Sequence, residues 1–137
     1  MAESIRVAQY FKMQVPDKPG EAVRMLDAIK GAGVNLLAFS GFPRGKKAQL
    51  DFVPEDPVRF KEVAKYNKYK VAGPKSCFVV QGDDRVGAIA DVLQRLVDAK
   101  INITAADAVS AGMGRFAVLI FVKPGAVKKA AAALGAS

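Results

Sequence analysis

The feature that most constrains this chain is a repeat with a constant offset of 67 residues. The segment Asp17-Lys-Pro-Gly20 is matched by Asp84-Arg-Val-Gly87, and Gly33-Val-Asn-Leu36 is matched by Lys100-Ile-Asn-Ile103. In each half an amphipathic stretch separates the two matched motifs. A period of this length exceeds that of solenoid repeats, so the repeat predicts two small domains.

The order of the predicted elements gives the fold of each domain. The first half starts with a strand over Val7 to Val15 and continues into a helix with apolar residues at i, i+3, i+4 and i+7. Two strands, a second helix and a short strand over Tyr69 to Ala72 follow. The order βαββαβ is that of a ferredoxin-like unit. The fold class is therefore α+β, with two such units in tandem at residues 5–72 and 76–137, divided at Gly73-Pro-Lys75.

The second unit lacks its final strand. Only Gly135-Ala-Ser137 remains after the last predicted helix, which ends at Leu134. Because the fourth strand of such a unit pairs with the first, we expect the strand around Phe78 to have an unpaired edge. A bare edge invites pairing with another chain, so we expect a homodimer. Two alternatives are a short solvated edge and an edge covered by residues 2–6.

The start of each helix carries an acidic residue that suits an N-cap. Asp17 and Asp56 precede the first and second helices, each followed by a proline in the expected first turn. Asp83 and Asp84 precede the third helix, and we interpret them as caps more readily than as an acid–base pair.

The repeated turns and asparagines are the candidate binding residues. A helix N-terminus offers free N–H groups and a positive dipole end that can hold a carboxylate, and glycine allows close approach. Asn35 and Asn102 lie at the start of a strand, although asparagine is a poor strand former. Each motif taken alone also fits a well-formed turn without a ligand. The turn and the asparagine face opposite ends of one helix, so they meet only where two units lie side by side.

The order, spacing and duplication of these motifs resemble the ACT-domain family, small βαββαβ modules that are often in tandem. The resemblance implies a regulatory protein that binds an amino acid or similar small ligand at an interface between domains or subunits, with a regulated enzyme as a possible partner. It also implies ligand binding near the first turn and second strand of each copy. The implied ligand-binding residues are Asp17, Lys18, Pro19, Gly20, Glu21, Asn35, Leu36, Asp84, Arg85, Val86, Gly87, Asn102 and Ile103. The second copy has Val86 in place of the proline.

Composition narrows the functional classes. The chain has no histidine, which excludes His-dependent catalysis and His metal ligands. Its one cysteine, Cys77, lies in an apolar strand, which is typical of an inert core thiol and fits a reducing compartment. No phosphate-binding fingerprint lies between a strand and a helix. We therefore expect no enzyme, no cofactor and no metal. Without a membrane span or a signal peptide in the sequence, we expect a cytoplasmic protein.

The net charge of +8 supports a second interpretation. Basic residues cluster around Arg44 to Lys47, around the second helix and near Lys123 to Lys129. The alternative function is a basic interaction module that binds nucleic acid or an acidic protein through lysine-rich faces or a sheet edge. Solvated lysines on outer helix faces explain the same clusters without a partner. The aromatic pattern of RNA-binding modules with this topology is missing, so nucleic acid is the less favoured partner.

Overall fold

The computed structural model describes residues 3–137 and separates into two compact units. The N-terminal unit is Gln9–Lys75, and the C-terminal unit combines Ser76–Ser137 with the described residues up to Ala8. The strands are β1 (Ser4–Pro16), β2 (Leu36–Arg44), β3 (Lys47–Pro54), β4 (Ala72–Asp83), β5 (Ala105–Gly112) and β6 (Arg115–Phe121). The helices are α1 (Glu21–Gly31), α2 (Pro57–Tyr66), α3 (Ala88–Asp98) and α4 (Val127–Leu134), the last preceded by a 3₁₀ turn at Pro124–Ala126.

The N-terminal unit is a sheet with α1 and α2 packed on one face. Its strands lie in the order β2-β3-β1-β4, and β3 runs antiparallel to both β2 and β1. The ring of Phe60 lies 4.9 Å from that of Phe11 and 5.2 Å from that of Phe52, which places the aromatic centre of the core between α2 and the sheet. The core is formed by Phe11, Met13, Val15, Met25, Ile29, Val34, Leu50, Phe52, Phe60, Val63 and Ala64.

The C-terminal unit repeats this architecture, with strands in the order β5-β6-β4-β1. Its core joins the sheet to α3 and α4 and is formed by Phe78, Val80, Ala88, Val92, Leu96, Ile101, Phe116, Val118, Ile120, Val122, Ala130 and Leu134. The predicted fold, two ferredoxin-like units in tandem of which the second repeat lacks its own final strand, is confirmed.

The expected bare edge at Phe78 is wrong. Strand β4 has β6 on one side and β1 on the other, so it lies inside the sheet. Residues 3–8 belong to the C-terminal unit, and Ile5 packs against its core. Ser137 also pairs with this segment, donating to the Ile5 carbonyl and accepting from the Val7 N–H at 3.1 Å. The start of the chain therefore supplies the strand that the second repeat lacks.

Strand β4 also differs from the prediction of two strands divided at Gly73-Pro-Lys75. It runs from Ala72 to Asp83, and its first four residues belong to the N-terminal unit. The apolar residues near the starts of α2 and α3 are not buried, although their helical spacing predicts inward positions: Val58 is 70% exposed and Ile89 is 40% exposed.

The helix starts confirm one predicted cap and correct the others. The Asp56 carboxylate accepts a hydrogen bond of 3.0 Å from the Arg59 N–H, as an N-cap should. At α1 and α3 the capping position is taken by Gly20 and Gly87, and neither helix start has a side-chain cap. Asp17 therefore does not cap α1. The aspartates before α3 do not cap that helix either. The Asp84 carboxylate accepts from the Ser110 hydroxyl, and Asp83 pairs with Arg115 at 2.8 Å.

Candidate functional site

The turn before α1 has the same backbone in both copies of the repeat. Gly20 has φ 89° and ψ −15°, and Gly87 has φ 84° and ψ 3°. Both lie in the left-handed region, where a side chain adds steric cost and glycine adds none. The 67-residue offset therefore preserves a three-dimensional turn as well as a sequence motif.

The N–H groups of the first turn are only partly available to a ligand. The Lys18 N–H donates to the Pro16 carbonyl at 2.9 Å, and the Glu21 N–H approaches the Lys18 carbonyl at 3.5 Å. Proline at position 19 has no N–H. Among the hydrogen bonds of residues 3–137, none uses the N–H of Gly20 or Ala22. These two N–H groups, at the positive end of α1, can donate hydrogen bonds to an anion.

A cleft of about 290 Å³ lies beside this turn, within the N-terminal unit. One side is the turn itself and the start of α1, and the other is the end of the β2–β3 hairpin. Its walls are formed by Val15, Pro16, Asp17, Lys18, Glu21, Ala22, Phe39, Gly41, Phe42, Pro43, Ala48 and Leu50. Charged groups from the turn thus face an apolar wall in which Phe39 is 39% exposed.

One charge at the cleft, that of Glu21, is held by a local pair. The Glu21 carboxylate accepts from the Arg24 guanidinium at 3.3 Å, and the Glu21 side chain is only 12% exposed. The Arg24 guanidinium lies over the Tyr69 ring, 5.8 Å from its centroid. The Tyr69 hydroxyl and then the Glu21 carboxylate raise the pKa of Arg24, so this cation stays charged at all ordinary pH values.

Asn35 and Leu36 lie apart from the cleft. They line a second cavity, of about 400 Å³, at the C-terminal end of α1. The Asn35 side-chain amide donates to the Glu55 carboxylate at 3.1 Å, while the Asn35 carbonyl accepts from the Glu55 N–H at 2.9 Å. Since an 11-residue helix spans about 16 Å, the structure does not bring Asn35 to the Gly20 turn within this unit.

The second copy of the turn uses its charged groups differently. Arg85 pairs with Asp91 of α3, and the side chain of Val86 is fully exposed. Asn102 is exposed, whereas Ile103 packs against the core of the C-terminal unit. The second copy therefore keeps the backbone but lacks the arrangement of Asp17, Lys18 and Glu21 beside a cleft.

Sequence reasoning missed Phe39, and its place in a β-rich run was the available signal. Its position depends on the pairing of β2 with β3, which sets Phe39 opposite the core residue Phe52. Phe42 lies opposite Gln49, so its side chain points to the other face of the sheet. The pairing contains a register shift between Leu36 and Ala38, which sequence does not reveal.

Two features are absent from residues 3–137. No three His, Cys, Asp or Glu side chains in this range form a group that could hold a metal ion. No helix in this range is both long and apolar enough to cross a membrane.

Comparison with known proteins gives structural neighbours only. No protein-family profile matches the sequence, and no curated protein matches it. A crystallised protein from Bacteroides thetaiotaomicron superimposes with a TM-score of 0.82 at 18% identity, over 96% of this chain and 88% of that one. Aspartokinase alpha and beta subunits match with a TM-score of 0.66 at 22% identity, over 98% of this chain and 95% of that chain. The ligand-free regulatory subunit of aspartate kinase from Thermus thermophilus matches with a TM-score of 0.66 at 17% identity, over 98% and 93%.

At these identities the likeness concerns the fold. It covers nearly the whole of this chain and most of each neighbour. The repeat of βαββαβ units, the strand orders and these neighbours agree, and this chain therefore has the tandem ACT-like fold that its sequence repeat predicted.

Proposed function

We propose that this chain is a non-catalytic, tandem ACT-like regulatory protein whose N-terminal unit binds an amino acid or a similar small zwitterion. The observation that carries the proposal is the cleft beside the turn before α1, whose lining brings together the Asp17 and Glu21 carboxylates, Ala22 with its free N–H group, and an apolar wall. Its volume of about 290 Å³ is near the lower end of the range for small-molecule sites.

Each part of an amino acid has a complementary group in this cleft. The ligand carboxylate accepts hydrogen bonds from the N–H groups of Gly20 and Ala22, and Lys18 adds positive charge. The ligand ammonium lies against the Asp17 carboxylate. An apolar ligand side chain packs on Phe39, which removes its exposed surface from water. The proposal therefore favours amino acids with apolar side chains.

The regulatory role rests on analogy of fold. Solved structures with this fold include proteins named as regulatory subunits of aspartate kinase. We infer that this chain, likewise, acts on an enzyme partner and requires no cofactor of its own. Ligand binding by this chain is the property that tests the regulatory role.

We further propose a cytoplasmic homodimer, with a different interface from the one that the sequence suggested. The outermost strands are β2 and β5, and every residue of β5 is exposed. Val109 in this strand is 61% exposed. An exposed edge strand of eight residues offers unpaired N–H and C=O groups to a second copy. Ligand binding would shift assembly only if the dimer and monomer differ in affinity for it.

The test is a thermal-shift screen of the twenty amino acids, with molecular mass measured by sedimentation in the same samples. A ligand at 100 times its Kd stabilises the folded state by about 2.7 kcal/mol, which gives a clear rise in Tm. We expect one or more apolar amino acids to raise Tm and the mass to be that of a dimer.

Matched variants locate the site. Gly20→Asp places a carboxylate where the ligand carboxylate binds and should abolish the shift. Gly87→Asp makes the same substitution on the same backbone in the second copy and should leave the shift unchanged. Absence of any shift in the wild type, or an undiminished shift in Gly20→Asp, would show that the proposed site is wrong.

A further inference from the structure

Another cleft, of about 560 Å³ and distinct from the cavities at the two ends of α1, lies on the opposite face of the N-terminal unit from α1 and α2. Phe11, Met13 and Val15 of β1 point into the core with the helices, so the alternating residues Lys12 and Gln14 lie on the other face. The cleft is lined by Lys12, Met13, Gln14, Arg44, Lys47, Gln49, Lys70, Val71 and Ala72. It shares no lining residue with the cleft beside Gly20.

The lining of this 560 Å³ cleft has four cations and no acidic residue. Lys12, Arg44, Lys47 and Lys70 reach it from three strands and from the segment after α2. Like charges gathered around one concave surface raise the local positive potential and concentrate anions there. Cations spread over outer helix faces would not show this convergence.

One of the four cations is held in place by a chain of hydrogen bonds. The Asp51 carboxylate accepts from the Gln49 amide nitrogen at 3.0 Å, and the Gln49 amide oxygen accepts from the Arg44 guanidinium at 2.8 Å. Gln49 and Asp51 are each only 6% exposed. A guanidinium has five N–H donors, so Arg44 keeps donors for a ligand while its direction is fixed.

The strand register also places like charges together. Arg44 lies directly opposite Lys47 at the end of the β2–β3 hairpin. Directly opposed like charges destabilise a sheet, and an anion between them relieves the repulsion. The opposed pair lies in the lining of the cleft, so a bound anion would offset this local cost.

We propose that this cleft binds a small metabolite that carries two linked phosphate groups. Four cations exceed the requirement of one carboxylate or one phosphate, and the volume is within the range for small-molecule sites. Arg44 binds one phosphate with paired N–H donors, and the lysines neutralise the other. The lining contains no aromatic ring on which a base could stack, so a nucleic-acid strand is the poorer occupant.

The experiment measures binding of inorganic pyrophosphate to the full chain by calorimetry, at low salt and at 0.5 M salt. We expect binding that weakens as salt screens the charges. Lys47→Gln with Lys70→Gln should lower the affinity about tenfold or more. The matched control, Lys128→Gln with Lys129→Gln, removes the same charge from α4 and should leave the affinity within about twofold.

Gln49→Leu tests the orientation of Arg44 without changing the net charge. We expect weaker binding with the salt dependence retained, because Arg44 is still present but no longer held. Equal losses in the cleft variant and the α4 control would overturn the proposal, since attraction would then follow net charge alone. Absence of pyrophosphate binding would also overturn it. A single-stranded RNA that binds more tightly than pyrophosphate, with the same dependence on Lys47 and Lys70, would assign the cleft to nucleic acid instead.

Discussion

At the scale of single residues, the backbone conformation of Gly20 is the most informative feature of the site. Its φ of 89° lies in the left-handed region, and a Cβ added there would meet no atom within 4 Å. Crowding by neighbouring atoms is therefore not the reason that this position needs glycine. Glycine is required at this position because the backbone turns there in a way that other residues adopt at a cost.

This reasoning predicts opposite effects for two alanine substitutions in the same region. Gly20→Ala should lower the free energy of unfolding by about 1–2 kcal/mol, since a Cβ is disfavoured in the left-handed region. Gly31→Ala, in α1 with equally open space and no positive φ, should raise it by about 0.5–1 kcal/mol. Urea denaturation of both variants measures the two changes. Equal effects in both would mean that the backbone of Gly20 is not constrained.

At the scale of elements, helix starts that look alike in sequence are built differently. Asp17 and Asp56 each precede a proline and a helix. Only Asp56 accepts a hydrogen bond from the helix, because Gly20 rather than Asp17 occupies the capping position of α1. Asp17 lies instead in the wall of the cleft, where it is available to a ligand.

The two aspartates should therefore differ in their contribution to stability. Asp56→Ala should lower the free energy of unfolding by about 1 kcal/mol, the usual cost of losing an N-cap. Asp17→Ala should lower it by less than about 0.5 kcal/mol, as for an ordinary surface position. Chemical denaturation of the two variants measures both losses in the free energy of unfolding. A large loss in Asp17→Ala would show that its carboxylate stabilises the turn after all.

The ends of the helices show how far the repeat extends. Gly33 after α1 and Lys100 after α3 both have positive φ, at 75° and 60°. In both copies the next residue donates back to the helix, Val34 to the Ile29 carbonyl and Ile101 to the Leu96 carbonyl. This is a Schellman-type ending. The geometry is kept although one copy has lysine where glycine is preferred, so the repeat is a property of the fold more than of residue identity.

At the scale of the whole molecule, the C-terminal unit is built from two distant parts of the sequence. Its second repeat ends at Ser137, and the segment up to Ala8 joins it from the other end of the chain. Ile5 packs against the core, and Glu3 pairs with Arg95 of α3 at 2.8 Å. The stability of the C-terminal unit should therefore depend on the first residues of the chain.

Substitutions in this segment test that dependence. Ile5→Ala removes a partly buried side chain and should lower the free energy of unfolding by about 1–2 kcal/mol. Amide hydrogen exchange should accelerate in α3 while α1 is unaffected, because the loss is local to the C-terminal unit. Val7→Ala is the control, since Val7 is 37% exposed and its backbone bond to Ser137 is retained. Faster exchange in α1 than in α3 would contradict the assignment of this segment.

The candidate site was only partly predictable from sequence. Asp17, Lys18 and Glu21 line the cleft, as residues of the predicted turn. Asn35 does not line the cleft, because α1 separates the two motifs. Its side-chain amide donates instead to the Glu55 carboxylate. Phe39 joins the site through strand pairing, and a shift of one residue would turn it to the other face of the sheet.

The sequence by itself determined the repeat, the order of the elements and the amphipathic faces of the helices, because these depend on local periodicity and on spacing along the chain. The tertiary structure alone decided which segment completes the C-terminal sheet and which side chains surround each cleft. The physical reason is that the unpaired groups of a strand edge accept any extended segment that can reach them. The order of the elements shows that the second repeat lacks a strand. Only the folded chain shows that the N-terminal segment of the same chain supplies that strand.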